Sequence, residues 1–182
     1  MKIVWRELKL NNQKLQAQIT INEEGDRTLL RTLYLDWKNL NDRLKKIGTR
    51  GINLPETISE NAFCIFFRDC FRVVKVKGMK CSFDAINTKT GDRIQIKASS
   101  VGSDLSSFGP KSQWDKLFFL DFSVGNGVFR VYEIKPEWIY KHKVNRTQTF
   151  EEQQAQGRRP RFSIIEDIIK PKNLKPVKIL KL

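Results

Sequence analysis

The stretch SFDAINTKTGDRIQIKAS, residues 82–99, decides the fold. It holds two short apolar runs, Cys81 to Ile86 and Arg93 to Ala98, separated by the polar, glycine-containing turn NTKTGD. That pattern is a β-hairpin. Polar residues interrupt both runs: Asp84 sits between Phe83 and Ala85, while Gln95 and Lys97 alternate with Ile94 and Ile96. Side chains alternate along a strand with a period of two, so residues 95 and 97 share a face. Pairing across the turn lets Asp84 lie beside that face. A carboxylate among apolar neighbours is costly unless it binds something.

Outward from the hairpin, Phe71 to Val76 is a further strand. KLFFLDFS and VFRVYEIK flank VGNG as a second hairpin, and the apolar run Leu117 to Phe122 reads as a central strand covered on both faces. Upstream, Ile3, Trp5, Leu8 and Leu10, then Leu15, Ala17, Ile19 and Ile21, predict one or two strands joined at Asn11-Asn12. From Asp26 the period changes. Leu30, Leu33, Trp37, Leu40, Leu44 and Ile47 form one stripe of a helix of about five turns, closed by Gly48 and Gly51. The stripe reads as a face packed on its own domain, with a dimer contact as the alternative. Pro55 opens a second, buried helix with Thr57 or Ser59 as N-cap and Glu60 as its odd residue. PEWIYKHK, TFEEQQAQG and IIEDIIK read as short helices, and GRRPRFS as an extended segment. The fold class expected is α+β, a mixed sheet of about five strands flanked by helices. Residues 1–182 are read as one domain: N-terminal strands over 1–25, helices and sheet over 26–134, and a basic segment over 135–182.

Charge narrows the partner. Thirty-four Lys and Arg against 20 Asp and Glu give a net charge of +14, and residues 135–182 carry half of it. Such an excess favours a polyanion, nucleic acid or an anionic membrane surface. No run approaches the 18 or so apolar residues that span a bilayer, so no membrane partner is expected. MKIVWRELKL is too charged for a secretory leader. Cys64, Cys70 and Cys81 form no CxxC and stand far from the single His142, which argues against zinc and for reduced thiols in the cytoplasm.

An acid, an amide oxygen and an ammonium at one point suit phosphodiester hydrolysis. A hard divalent cation needs oxygen ligands, and a nearby lysine can orient the attacking water. The pattern Asp84, Gln95, Lys97 is similar to the PD-(D/E)XK nuclease core, in which the position held here by Gln95 is usually acidic. Glutamine can still ligate Mg²⁺ but adds no charge, so Glu60 is a candidate fourth catalytic residue. The metal positions are Asp84, Gln95 and Ile96, with Asp92 and Asp104 as weaker candidates.

Several longer strings resemble one family of type II restriction endonucleases, the Bsp-six-I family: TRGINLPETISENAFC, CSFDAINTKTGDRIQIKAS, DLSSFGPKSQWDKLFFLDF, IYKHKVN and QTFEEQQAQGRRPRFS. The resemblance covers about residues 30–165. It implies a restriction endonuclease-like core and Mg²⁺-dependent double-strand cleavage of DNA at GCNGC by a homodimer, alongside a cognate DNA methyltransferase. It also implies Asp84, Gln95 and Lys97 as catalytic positions. The residues of the C-terminal half agree: Arg158, Arg159 and Arg161 around Pro160 are suited to guanine or phosphate, and Glu151 or Glu152 to cytosine N4. Gln148, Gln153, Gln154 and Gln156 precede them, and Gln153 is retained as a DNA contact. Lys111, Lys141, Lys143, Arg146 and Arg50 are candidate phosphate contacts. The competing readings are a DNA-binding protein that has lost catalysis and a structured-RNA nuclease.

Overall fold

The fold is taken from a computed structural model that describes residues 1–10, 13–48 and 51–182. The Asn11-Asn12 turn and Arg50 lie outside the described residues. One mixed sheet of eight strands runs through the molecule, in the order β1 (Lys2–Leu10), β2 (Gln13–Ile21), β3 (Cys70–Val76), β4 (Ala85–Asn87), β5 (Arg93–Ser99), β7 (Lys116–Gly125), β8 (Val128–Ile134), β10 (Lys178–Lys181). A separate two-stranded ladder joins β6 (Ser106–Ser107) to β9 (Arg161–Phe162). Every neighbouring pair of the large sheet is antiparallel except β5 and β7.

The sheet is α+β and mixed, as expected, but it has eight strands rather than about five. Two features widen it. The N-terminal hairpin does not stand apart: β2 continues onto β3 through Ala17↔Val76 and Ile19↔Val73, with a bulge between Gln18 and Ile19. At the other edge KILK, only four residues long, pairs with β8. The expected strand over Cys81–Ile86 shrinks to the three residues of β4.

The central strand explains the layers. In β7, Leu117 and Phe119 enter one apolar cluster, while Phe118, Leu120 and Phe122 enter the other. All five are buried, as a strand covered on both faces requires. On one face pack α1 (Asp26–Ile47) and α2 (Glu56–Phe66), through Leu30, Tyr34, Trp37, Ile58, Ala62 and Phe63. On the other pack α3 (Pro136–Tyr140), α4 (Phe150–Ala155) and a π-helical turn (Ile165–Ile169), with Ile139, Phe150, Phe162, Ile165 and Ile168 in their cluster.

Helix α1 differs from its expected stripe. Its buried residues are Asp26, Leu30, Tyr34, Trp37 and Asn41, whereas Leu33, Leu40 and Ile47 face outward. Helix α2 begins at Glu56 with Pro55 in the cap position and no side-chain cap; Ser59 is already inside the helix, donating to the Glu56 carbonyl at 3.0 Å. The short helix α4 carries a reciprocal cap between Thr149 and Glu152 and stops before Gly157, whose φ of 71° suits glycine.

Asp104 fastens the β5–β7 connection to the C-terminal segment. Its carboxylate accepts from Ser106 Oγ at 2.6 Å, Ser163 Oγ at 2.8 Å, Ile164 N at 3.1 Å and Ile165 N at 2.9 Å. That role as an anchor of the π-helical turn occupies the carboxylate. Replacing it strands two main-chain donors and two hydroxyls at once. Asp104→Ala is therefore expected to cost about 2–4 kcal/mol, read as a lower midpoint in urea unfolding.

Candidate active site

The hairpin of β4 and β5 places the central residues. The ladder covers Ala85↔Ile94 and Ile86↔Arg93, and Asp84 N still donates to the Ile94 carbonyl at 2.9 Å. Beyond that point the ladder stops, yet the Ile96 N–H continues to point to the same side. The Asp84 carboxylate accepts it at 2.7 Å. The Gln95 side-chain amide donates to the same carboxylate oxygen. Asp84 thus takes over a ladder position where two strands part, and its side chain, Gln95 and Ile96 meet in direct contact.

Strand parity does the rest. Ile94 and Ile96 enter the cluster beneath α1 and α2, so Gln95 and Lys97 turn to the opposite face. Gln95 is buried, and the Lys97 ammonium stands 5.3 Å from the centre of the Phe108 ring, within cation–π range. Phe108 belongs to an aromatic cluster with Trp114, Phe150 and Phe162. The placement of this ring at the base of Lys97 is not visible in the sequence.

Glu60 is buried on α2, and its direct partner is Arg72 of β3, whose Nε donates at 2.6 Å. Arg72 was missed. Its signal was available, a lone arginine inside the otherwise apolar opening of FRVVKV. Burial pushes the Glu60 carboxyl well above the ordinary range, with the charge of Asp84 adding to the effect and Arg72 opposing it. Asp84 is raised too, again by burial, against the pull of Lys97 and the Ile96 N–H. Each carboxylate senses the charges around the other, so the pair forms one electrostatic unit although they bond different partners.

As ligands, these groups are hard oxygens. Mg²⁺ is typically held by one or two carboxylates completed by substrate phosphate and water. Asp84 and Glu60 would supply two carboxylates to such a cation, and Gln95 a neutral amide oxygen if its amide turns. Among the described residues no group of three His, Cys, Asp or Glu side chains could hold a metal. The donor set therefore fits a hard cation shared with a phosphate and not a closed protein cage. Asp92 is engaged with Thr90 Oγ1 at 2.7 Å and Lys116 at 3.4 Å.

Beside Lys97 opens a cleft of about 840 Å³. Asn41 and Lys45 of α1, Asn53 and Glu56 line one wall, and the segment 98–107 with Arg159 and Arg161 the other. Of the basic candidates, Arg159 and Arg161 reach this cleft. Lys111, Lys141, Lys143, Arg146 and Arg158 are exposed outside its lining. The glutamines are mostly occupied: Gln153 is buried, Gln154 donates to the Gly109 carbonyl at 2.7 Å, and Gln148 accepts from Arg158 at 3.1 Å. Glu152 is held in the α4 cap. The three cysteines are free, Cys64 and Cys70 buried, and no described helix is long and apolar enough to cross a membrane.

The sequence model of the Bsp6I restriction endonuclease family matches residues 22–171. The chain belongs to this family. It is 40% identical over 147 residues to the type II restriction enzyme Bsp6I of Bacillus sp. (strain RFL6), covering 79% of this chain and 81% of that protein. No solved structure matches the chain significantly. The match to the Bsp6I family contains Asp84, Gln95, Lys97, Glu60 and both cleft arginines, whereas β1, β2 and β10 lie beyond it.

The raised carboxyls set a pH test. Their ionised forms are disfavoured in the fold, so the penalty is absent below the ordinary carboxylate range. It grows as pH rises and is complete above about 7, the value to which Glu60 is raised. Asp84→Asn keeps an acceptor for Ile96 N–H and removes the charge. Without divalent cations the variant is expected to be about 1–2 kcal/mol more stable than wild type above about pH 6, the value to which Asp84 is raised, with the difference shrinking as pH falls and gone below about pH 3.8. Thermal melts of both proteins across that range check it.

Proposed function

We propose that the chain is a type II site-specific deoxyribonuclease that hydrolyses phosphodiester bonds on both strands of DNA with Mg²⁺. The observation that carries the reading is Asp84 in contact with Gln95 and Ile96, one strand residue from Lys97, with Ile96 and Lys97 lining a cleft that Arg159 and Arg161 also line. Membership in the Bsp6I family supports the same class of reaction.

Asp84 and Gln95, with Glu60 as the second carboxylate, would hold the cation, and Ile96 adds its main-chain oxygen. When bound, the cation stabilises the additional negative charge on the scissile phosphate. The chain's own residues do the remainder. The Lys97 ammonium, braced over the Phe108 ring, orients the water that attacks in line with the leaving oxygen. Arg72 holds Glu60 in place. Arg159 and Arg161 draw a DNA strand along the cleft by their charge. The arrangement fits a PD-(D/E)XK core with an amide in the usual acidic position. The basic segment 135–182 serves as the DNA-binding part of one nuclease domain. On the family reading the site is GCNGC, read by two copies related by a two-fold axis, with a cognate methyltransferase protecting the same sequence in the cytoplasm.

Plasmid and short-duplex cleavage assays with and without Mg²⁺ test this. Discrete fragments that require the cation, with Asp84→Ala and Lys97→Ala each lowering the rate by on the order of a hundredfold or more, are the expected result. DNA retention without cleavage at any Mg²⁺ or Mn²⁺ concentration instead supports a binding protein that has lost catalysis. Sequencing the ends decides the site, and ends unrelated to GCNGC refute that specificity. Gln95→Glu adds a third carboxylate to the unit. It should lower the melting temperature in chelator, recover it in Mg²⁺, and tighten the cation requirement for cleavage.

A further inference from the structure

Helix α1 presents a second apolar stripe that the fold leaves uncovered. Leu33, Leu40 and Ile47 lie seven residues apart on its outer side and are 43%, 49% and 85% exposed. Side chains spaced by seven stay on one line of a helix. The stripe is separate from the face that packs on the sheet through Leu30, Tyr34 and Trp37. Three large aliphatic side chains in a line along the longest helix form an unusual outer surface for a chain with this much charge.

The stripe is symmetric about its middle. In an antiparallel pair of α1 helices whose two-fold axis passes beside Leu40, that residue meets its own copy. Leu33 of each copy then meets Ile47 of the other, because the three positions are evenly spaced. The flanking charges obey the same symmetry. Asp36 lies four residues before Leu40 and Arg43 three residues after it, so the antiparallel pairing brings Asp36 of each copy towards Arg43 of the other. Both side chains are exposed, and neither has an ion-pair partner among the described residues of its own chain. A parallel pair would instead set Asp36 against Asp36 and Arg43 against Arg43.

We propose that α1 is where two copies of this chain meet, as an antiparallel helix pair centred on Leu40. That two copies should meet at all rests on the symmetric-site nuclease reading; where they meet is carried by the stripe itself. The isologous pairing also sets the two clefts close together, since Asn41 and Lys45 of the same helix line the cleft wall. A helix pair of this length is at the small end of stable interfaces, so it tightens when both copies hold one duplex.

Site-directed cross-linking tests it, with sedimentation of the full chain alone and with a GCNGC duplex. Leu40→Cys should give a disulfide-linked dimer on mild oxidation, because an on-axis residue faces itself within disulfide reach. Leu33→Cys alone should not, while Leu33→Cys combined with Ile47→Cys should. Wild type is the control for the native thiols. Leu40→Glu places like charges on the axis and should sediment as a monomer that still unfolds in one cooperative transition, as the position is half exposed. A dimeric wild type in which Cys at position 40 stays unlinked and Leu40→Glu remains dimeric overturns this interface and leaves the nuclease reading intact. A wild type that is monomeric even on the duplex overturns the interface and the two-copy reading together. Loss of cleavage with cross-linking intact counts against the nuclease reading alone.

Discussion

Everything in the candidate site depends on one carboxylate accepting a main-chain hydrogen bond where two strands separate. Strand β4 is three residues long, so its ladder with β5 ends early, and the Ile96 N–H is left pointing at the gap. Asp84 fills it. A buried main-chain donor without a partner is costly, and a buried carboxylate without a partner costs more. Each removes the other's penalty. The same contact fixes where β5 leaves the hairpin, and with it the direction of Lys97 and the place of Gln95.

The surrounding layers hold that geometry rigid. Strand β5 pairs with β4 on one side and, in parallel, with the central strand β7 on the other. Helix α2 covers its apolar face and brings Glu60 in from the opposite layer. The aromatic group around Phe108 supports Lys97 from below. Two carboxylates pushed upward by burial are the cost of this arrangement. On the proposed reading a hard cation shared with a phosphate would relieve it, because it would return to both carboxylates the favourable field that burial removed.

Much of this was legible in the sequence. The turn NTKTGD between apolar runs gave the hairpin, and the alternation of Ile94, Gln95, Ile96 and Lys97 gave the faces. The run from Leu117 to Phe122 marked the central strand, and GRRPRFS marked an extended basic segment, two of whose arginines line the cleft. Other features depend on contacts far apart in the chain. KILK has too few residues to announce an edge strand, and the β6–β9 ladder involves only two residues on each side. Asp104 looked like a loop acid because its four partners are mostly about sixty residues away. On α1, Leu33 and Leu40 fell into the predicted stripe because a helix with two neighbouring apolar faces has the same spacing as one with a single broad face.

On the proposed reading, Asp84 and Glu60 form one cation-binding unit whose ionisation burial suppresses. Calorimetric titration of Mg²⁺ into the protein bound to its duplex, near pH 6.5 and in buffers of different ionisation heat, measures this directly. Initial binding heats, taken before appreciable cleavage, should show release of up to about one proton per cation bound, with both cation binding and the release weakened in Asp84→Asn. Cation binding with no proton release, or binding that Asp84→Asn leaves unchanged, would mean that Asp84 and Glu60 do not hold the cation together.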